Sequence, residues 1–181
     1  MLTLLVGGAR SGKSRLALAL ATHYSGPVTF IVTGEPLDED MAARIDQHRA
    51  ERPAHWSSVE EPLEVPAALA SVAEGFIVID CLTLWVSNLL GAGRDDVHIL
   101  ADATRVAELA HVRREEVVVV TNEVGSGIIP GDALSRRYRD LLGKVNVIFS
   151  GHARDVRLVV AGRSLLLGPT IDSEFEIVAS Q

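Results

Sequence analysis

Five aliphatic runs punctuate the chain, at 2–6, 28–33, 76–80, 117–121 and 156–160, each separated from the next by a mixed stretch long enough for a helix. Phe76-Ile77-Val78-Ile79 and Val117-Val118-Val119-Val120 are apolar at every position rather than at alternate ones, the pattern of central strands buried on both faces. Strands alternating with helices predict an α/β fold: a mostly parallel sheet flanked by helices, with active groups beyond the carboxyl ends of the strands. Helices are expected over 13–23, from Asp38-Glu39-Asp40 to about Ala50, over 95–114, and from near Asp132. The second must stop by Arg52, because Pro53 disfavours helical backbone in the residue before it. Leu165-Leu166-Leu167 is expected to add a last strand, a C-terminal hairpin turning through Gly162-Arg163-Ser164. With neither repeat nor linker, 1–181 reads as one domain, a size that buries a real core.

Composition narrows the classes. Hydrophobic residues make up 48% and aromatic residues 4%, so the core is aliphatic. A formal charge of -7 argues against a general nucleic-acid or anionic-membrane binder, which needs a dominant basic surface. The greasiest stretch, 76–90, contains Asp80, Thr83 and Asn88 and reads as a strand entering a helix rather than as a membrane span. Cys81 is the one cysteine, and the first strand opens at Leu2 with no leader before it, so a cytoplasmic protein is expected. Six histidines lie scattered without zinc-ligand spacing.

Directly after the first run stands Gly7-Gly8-Ala9-Arg10-Ser11-Gly12-Lys13-Ser14, a complete G-x-x-x-x-G-K-S phosphate loop between a strand and a helix. Its glycines allow backbone N–H groups to curl around an anion, and the helix behind it points its positive end at the same place. Lys13 is expected to reach the β and γ phosphates of ATP or GTP, and Ser14 to take a place on Mg²⁺. The fold is therefore of the P-loop NTPase type.

Asp80 closes the third run and should emerge at the carboxyl edge of the sheet, where it can position Mg²⁺ or else cap the next helix. Glu123 ends the fourth run in the same way and either meets a metal water or a hydroxyl proton, or fixes the loop Val124-Gly125-Ser126-Gly127. The chain reads Cys81-Leu82-Thr83 after Asp80 rather than D-x-x-G, and carries no N-K-x-D motif, so it is not a regulatory GTPase. A small phosphotransferase is the natural class; a nucleotide-gated binding protein is the alternative. The segment 44–56 gathers His48, His55, three arginines and Trp56, and Arg44 and His48, four apart, share a helical face and can meet one phosphate.

Taken together, these stretches resemble the bifunctional adenosylcobinamide kinase / adenosylcobinamide-phosphate guanylyltransferase family of cobalamin biosynthesis. The resemblance rests on the phosphate loop, on Met41-Ala42-Ala43-Arg44-Ile45 with His48, Arg52-Pro53 and Trp56, and on Asn88-Leu89-Leu90. It continues through Thr121-Asn122-Glu123-Val124-Gly125-Ser126-Gly127-Ile128-Ile129-Pro130, Arg139-Asp140, Gly143-Lys144-Val145-Asn146 and Leu158-Val159-Val160-Ala161-Gly162. It implies phosphorylation of adenosylcobinamide, then transfer of GMP from GTP to adenosylcobinamide phosphate through a guanylylated histidine, which matches His48. It also implies Lys13 as a catalytic group, Arg44, Glu60 and Asp80 in the nucleotide site, Mg²⁺ on Ser14 and Asp80, and a homo-oligomer, a trimer. A kinase of the same fold without the covalent step is the enzymatic alternative. The chain departs from the family pattern at Val147, at Ala153-Arg154 and at Arg163-Ser164, positions expected to lie away from the phosphate loop.

Overall fold

The computed structural model describes residues 1–36 and 38–168, so position 37 and residues 169–181 of the expected single domain lie outside the described residues. The elements run β1 (Leu2–Gly7), α1 (Lys13–Thr22), β2 (Val28–Val32), α2 (Glu39–Ala50), β3 (Ser57–Glu60), α3 (Val65–Ser71) and β4 (Phe76–Asp80). They continue with α4 (Leu82–Gly91), α5 (Asp96–Val112), β5 (Val117–Asn122), α6 (Ala133–His152), β6 (Asp155–Val160) and β7 (Arg163–Leu167). The strands form one sheet in the order β3-β2-β4-β5-β1-β6-β7, parallel throughout except for β7, which runs antiparallel to β6. The alternation of strand and helix thus gives the expected parallel α/β sheet.

Period-2 geometry distributes each strand between two cores. Leu2, Leu4, Ile31, Ile77, Ile79, Val117 and Val119 face α3 to α6, where Trp85, Leu89, Ile99, Val106, Leu142 and Phe149 are fully buried. Leu5, Phe30, Val78, Val118 and Val120 face the other way, against Ala17 and Ala21 of α1. β4 and β5, sandwiched between the layers, are therefore the strands without alternation. Asp38, Asp95 and Asp132 each accept a hydrogen bond from the backbone N–H three residues on, starting α2, α5 and α6 where an N-cap side chain dictates.

Three features differ from the sequence expectation. β3 is an edge strand of Ser57-Ser58-Val59-Glu60, too short and polar to leave an aliphatic run. α3, seven residues long with Pro66 in its first turn, lies below the length at which helical periodicity is visible. The terminal hairpin is also tighter than expected: Ala161 and Gly162 alone make the turn, with φ of 51° and 75°, and Val160 already pairs with Arg163. Positive φ at both central residues is what a two-residue type I′ turn requires.

β1 lies between β5 and β6, and at its carboxyl end the backbones crowd. A Cβ on Gly7 would stand 2.2 Å from the Val159 carbonyl oxygen. Gly7→Ala is therefore expected to destabilise the fold by about 3 kcal/mol, the upper range for forcing an atom into a packed interior. Urea unfolding checks this, and an unchanged midpoint would contradict it.

Candidate active site

Between β1 and α1 the loop closes into a ring. Gly12 has a φ of +104°, and a Cβ there would meet the Gly162 Cα at 3.2 Å, so glycine is required both for its backbone angle and for space. Gly162 N–H donates to the Ser11 carbonyl at 2.8 Å, which fastens the β6–β7 turn to the loop. Lys13 is buried inside the ring, with Nζ donating to the carbonyls of Gly7 at 2.9 Å and Gly8 at 2.7 Å. Burial lowers the pKa of its ammonium. α1 carries no acidic residue in its first turn, so its positive end is uncompensated by the chain.

A cavity of about 490 Å³ opens in front of this ring. Ala9, Arg10, Ser11, Gly12, Lys13 and Ser14 form one wall. Arg44 and His48 face it from α2, Glu60 from the end of β3, and Asp80 from the end of β4. Gly7 and Gly8 lie behind this surface and act on it by holding Lys13. The residues expected at the site therefore converge, although α1, β2 and their connections separate α2 from the loop in sequence. Three register relations carry them there: Val32 pairs with both Glu60 and Asp80, and Gly7 pairs with Asn122, so the strand ends share one edge.

Asp80 does not cap the following helix: Cys81 holds the N-cap position of α4 and makes no side-chain cap bond. The Asp80 carboxylate instead lies 3.9 Å from His48 Nδ1, with side chains 13% and 40% exposed respectively. Asp80 raises the His48 pKa above the ordinary imidazole value, against the opposing effect of partial burial. Glu123 accepts hydrogen bonds from the N–H groups of Gly125 at 2.7 Å and Ser126 at 3.1 Å, which fixes its loop, and the Ser126 side chain first, with these N–H groups, holds its pKa low. His55 packs edge-on against Trp56 and is absent from the cavity lining. The Cys81 thiol is pushed up to about 11 by burial.

Arg49 and Arg52 also reach the cavity; neither had a place in the nucleotide site from the sequence, Arg49 standing only in a basic segment and Arg52 also in the Arg52-Pro53 pair of the resemblance. Arg49 pairs with Glu60, tying α2 to β3. Arg52 lies 4.4 Å over the Phe30 ring and donates to Ser58 Oγ at 3.2 Å. Asn88 donates to the Thr33 carbonyl at 2.7 Å; Asn146 accepts from Thr121 Oγ1 at 2.7 Å and donates to the Asn122 carbonyl at 3.0 Å. These two asparagines clamp strand ends beside the site. One expectation is corrected: Arg163 and Ser164 do not lie away from the phosphate loop, because the type I′ turn preceding them is bonded to Ser11. Val147, in contrast, is 71% exposed on α6.

Ser14 and Asp80 supply one hydroxyl and one carboxylate to the same cavity. Among the described residues, no group of three or more His, Cys, Asp or Glu is placed to hold a metal ion. Such a sparse oxygen set fits Mg²⁺ that arrives with phosphate and keeps several of its waters.

A buried strand, a glycine ring and a helix N-terminus at a parallel sheet edge define a P-loop nucleotide enzyme. The chain belongs to the cobinamide kinase / cobinamide phosphate guanyltransferase family, whose model matches residues 3–167. It is 41% identical over 164 residues to the bifunctional adenosylcobalamin biosynthesis protein CobP of Pseudomonas aeruginosa, covering 90% of this chain and 94% of that one. It is 40% identical over 176 residues to the bifunctional adenosylcobalamin biosynthesis protein CobU of Escherichia coli, covering 90% and 97%. In fold alone it is similar to an ATPase from the type III secretion system of pathogenic bacteria, with a TM-score of 0.53, 11% identity and 99% of this chain but only 61% of that one aligned. A protein of Pyrococcus horikoshii aligns with a TM-score of 0.56 at 8% identity, over 94% of this chain and 87% of that one. Among the described residues no helix is long and apolar enough to cross a membrane.

The pairing of His48 with Asp80 has a measurable consequence. Because the folded pKa is raised, the attraction stabilises the fold fully below the unfolded imidazole value of 6.5 and is lost as pH rises through the folded value. Asp80→Asn is expected to lower the His48 pKa, read from its ring proton shifts in buffer free of divalent cations. A titration curve unchanged by the substitution would contradict the pairing.

Proposed function

We propose that this chain phosphorylates adenosylcobinamide and then guanylylates adenosylcobinamide phosphate, with both reactions using the one phosphate loop. The contact between His48 Nδ1 and Asp80, in the same cavity as the loop, carries this reading. With Nδ1 the ring nitrogen nearer the carboxylate, Nε2 is the one left to attack, and a proton held on Nδ1 beside Asp80 leaves Nε2 its lone pair.

In the first reaction the acceptor hydroxyl oxygen bonds to the γ phosphorus of the nucleoside triphosphate, the bridging bond to the β phosphate breaks, and the hydroxyl proton is released. The loop N–H groups and Lys13 neutralise the charge that the diphosphate gains. In the second, His48 Nε2 bonds to the α phosphorus of GTP and the α–β bridging bond breaks, releasing pyrophosphate onto the same donors. A phosphate oxygen of adenosylcobinamide phosphate then bonds to that phosphorus as the N–P bond breaks, returning His48 and giving adenosylcobinamide-GDP. Mg²⁺ carried by the nucleotide, with Ser14 and Asp80 beside it, supplies further charge stabilisation when bound. Arg44 on the face of α2 shared with His48, and Glu60 held by Arg49, complete the proposed nucleotide site.

We place this activity in a single catalytic domain over 1–181, in the cytoplasm, and in a trimer. Exposed apolar side chains support self-association: Ile128 and Ile129 in the loop before α6, and Leu165 and Leu166 on the edge strand β7.

Lys13→Ala is expected to remove both activities, since each lost catalytic donor costs about 3 kcal/mol of transition-state stabilisation. Product assays check this, and normal guanylylation in that variant would contradict the shared loop. His48→Asn is expected to abolish retention of label from α-labelled GTP while part of the kinase activity survives, because asparagine has no nucleophilic ring nitrogen. His55→Asn should retain the label. The reverse pattern in the two variants would assign the covalent step to His55.

A further inference from the structure

Transfer at phosphorus proceeds with the attacking and leaving atoms roughly in line. In the proposed labelling step, His48 Nε2 attacks the α phosphorus of GTP from one side and pyrophosphate departs on the other, onto the loop. In the discharge step the same nitrogen is the leaving atom. Asp80, 3.9 Å from Nδ1, keeps Nε2 toward the phosphorus in both steps. The incoming oxygen must therefore arrive opposite Nε2, at the place pyrophosphate has left. We infer that the phosphate of adenosylcobinamide phosphate enters the phosphate loop itself once pyrophosphate has gone, so that the loop is the acceptor subsite of guanylyl transfer as well as the grip on the donor. This rests on the proposed covalent step at His48 and on the use of one loop for both reactions.

The loop is built to take a bare anion. Lys13 Nζ finds its partners in the chain, at the carbonyls of Gly7 and Gly8, and so stands in the ring with no nucleotide to hold it. The backbone around it is fixed by the close approach of Gly7 to Val159 and by the bond from Gly162 N–H to the Ser11 carbonyl. No acidic residue in the first turn of α1 offsets the positive end of that helix. Such donors read phosphate oxygens and not the group attached to them.

The cations that α2 and its end bring to the cavity are poorly placed for the same task. Arg49 is paired with Glu60, and Arg52 lies over the Phe30 ring and donates to Ser58 Oγ. Arg44 has no acidic partner among the described residues, but it stands one turn from His48 on the same helix. A phosphate held there alone would attack from beside the bond that breaks rather than from opposite it.

Inorganic phosphate, which fits the same donors, then becomes an acceptor in its own right. One of its oxygens bonds to the α phosphorus, the Nε2–P bond breaks with its electron pair returning to the ring, and GDP leaves. GTP and adenosylcobinamide phosphate also exclude each other from the loop, so the product of the first reaction slows labelling of His48 in competition with GTP.

The test starts from protein labelled with α-labelled GTP and freed of nucleotide, at constant ionic strength set with chloride. Inorganic phosphate alone is expected to release the label as GDP faster than water releases it as GMP, and saturating adenosylcobinamide phosphate should suppress that GDP. Sulfate, which fits the loop but forms no stable product, should raise the concentration of adenosylcobinamide phosphate needed for half-maximal discharge and leave the maximal rate unchanged. Discharge by adenosylcobinamide phosphate that is indifferent to sulfate and phosphate, or GDP formation that persists when it saturates, would overturn the inference. Competition by phosphate without any GDP would put the loop out of line with His48 and overturn it as well. Label surviving in His48→Asn would instead overturn the covalent reading itself, and the inference with it.

Discussion

Everything at the site depends on a close approach of three backbones at the end of β1. Gly7 passes so near Val159 that it has no room for a side chain, and Gly12 passes close to Gly162 with a left-handed backbone that favours glycine. That crowding seats the loop at the end of β1, between β5 and β6. Lys13 is then drawn into the ring by the Gly7 and Gly8 carbonyls, where burial lowers its pKa without leaving it unpartnered. A looser turn would still bind an anion, but it would not hold the ammonium at one fixed place.

The parallel sheet converts this local constraint into a site. Strands in register end together, so Asp80 and Glu60, each opposite Val32, come to one edge although twenty residues separate them in sequence. α2 buries no residue in the core and is held instead by polar contacts such as Arg49 to Glu60 and His48 to Asp80. The helix that carries the proposed nucleophile is thus attached mainly by the electrostatics of the site. Attachment of that kind is weak at an exposed surface and strengthens when an anion joins the network.

The fold was legible wherever burial was two-sided. β4 and β5 are apolar at every position because helices cover both faces, and Asp38, Asp95 and Asp132 mark helix starts through N-cap bonds that depend only on local spacing. β3 escaped because an edge strand with one exposed face needs no aliphatic run, and α3 because seven residues give less than two full turns of periodicity. At the site, the loop was legible as a contiguous motif. Asp80 was legible from its place at a strand end, and the shared face of Arg44 and His48 from their spacing, but a catalytic role for His48 and a place for Glu60 at the site followed only from family resemblance, since strand order decides which chain ends are neighbours and no local pattern encodes that order. The β6–β7 turn was misplaced for the same reason: nothing in Ala161-Gly162-Arg163-Ser164 says that β6 lies beside β1.

The central claim is that His48 passes a guanylyl group from a nucleotide held by the loop to the phosphorylated corrinoid. A chase measures this most directly: protein labelled with α-labelled GTP is freed of nucleotide, mixed with adenosylcobinamide phosphate alone, and followed over a single turnover. The account predicts that the label leaves the protein and appears in adenosylcobinamide-GDP at a rate no slower than steady-state turnover. Label that stays on the protein while added GTP restores product formation would show that the covalent species lies off the path of transfer, and would contradict the account.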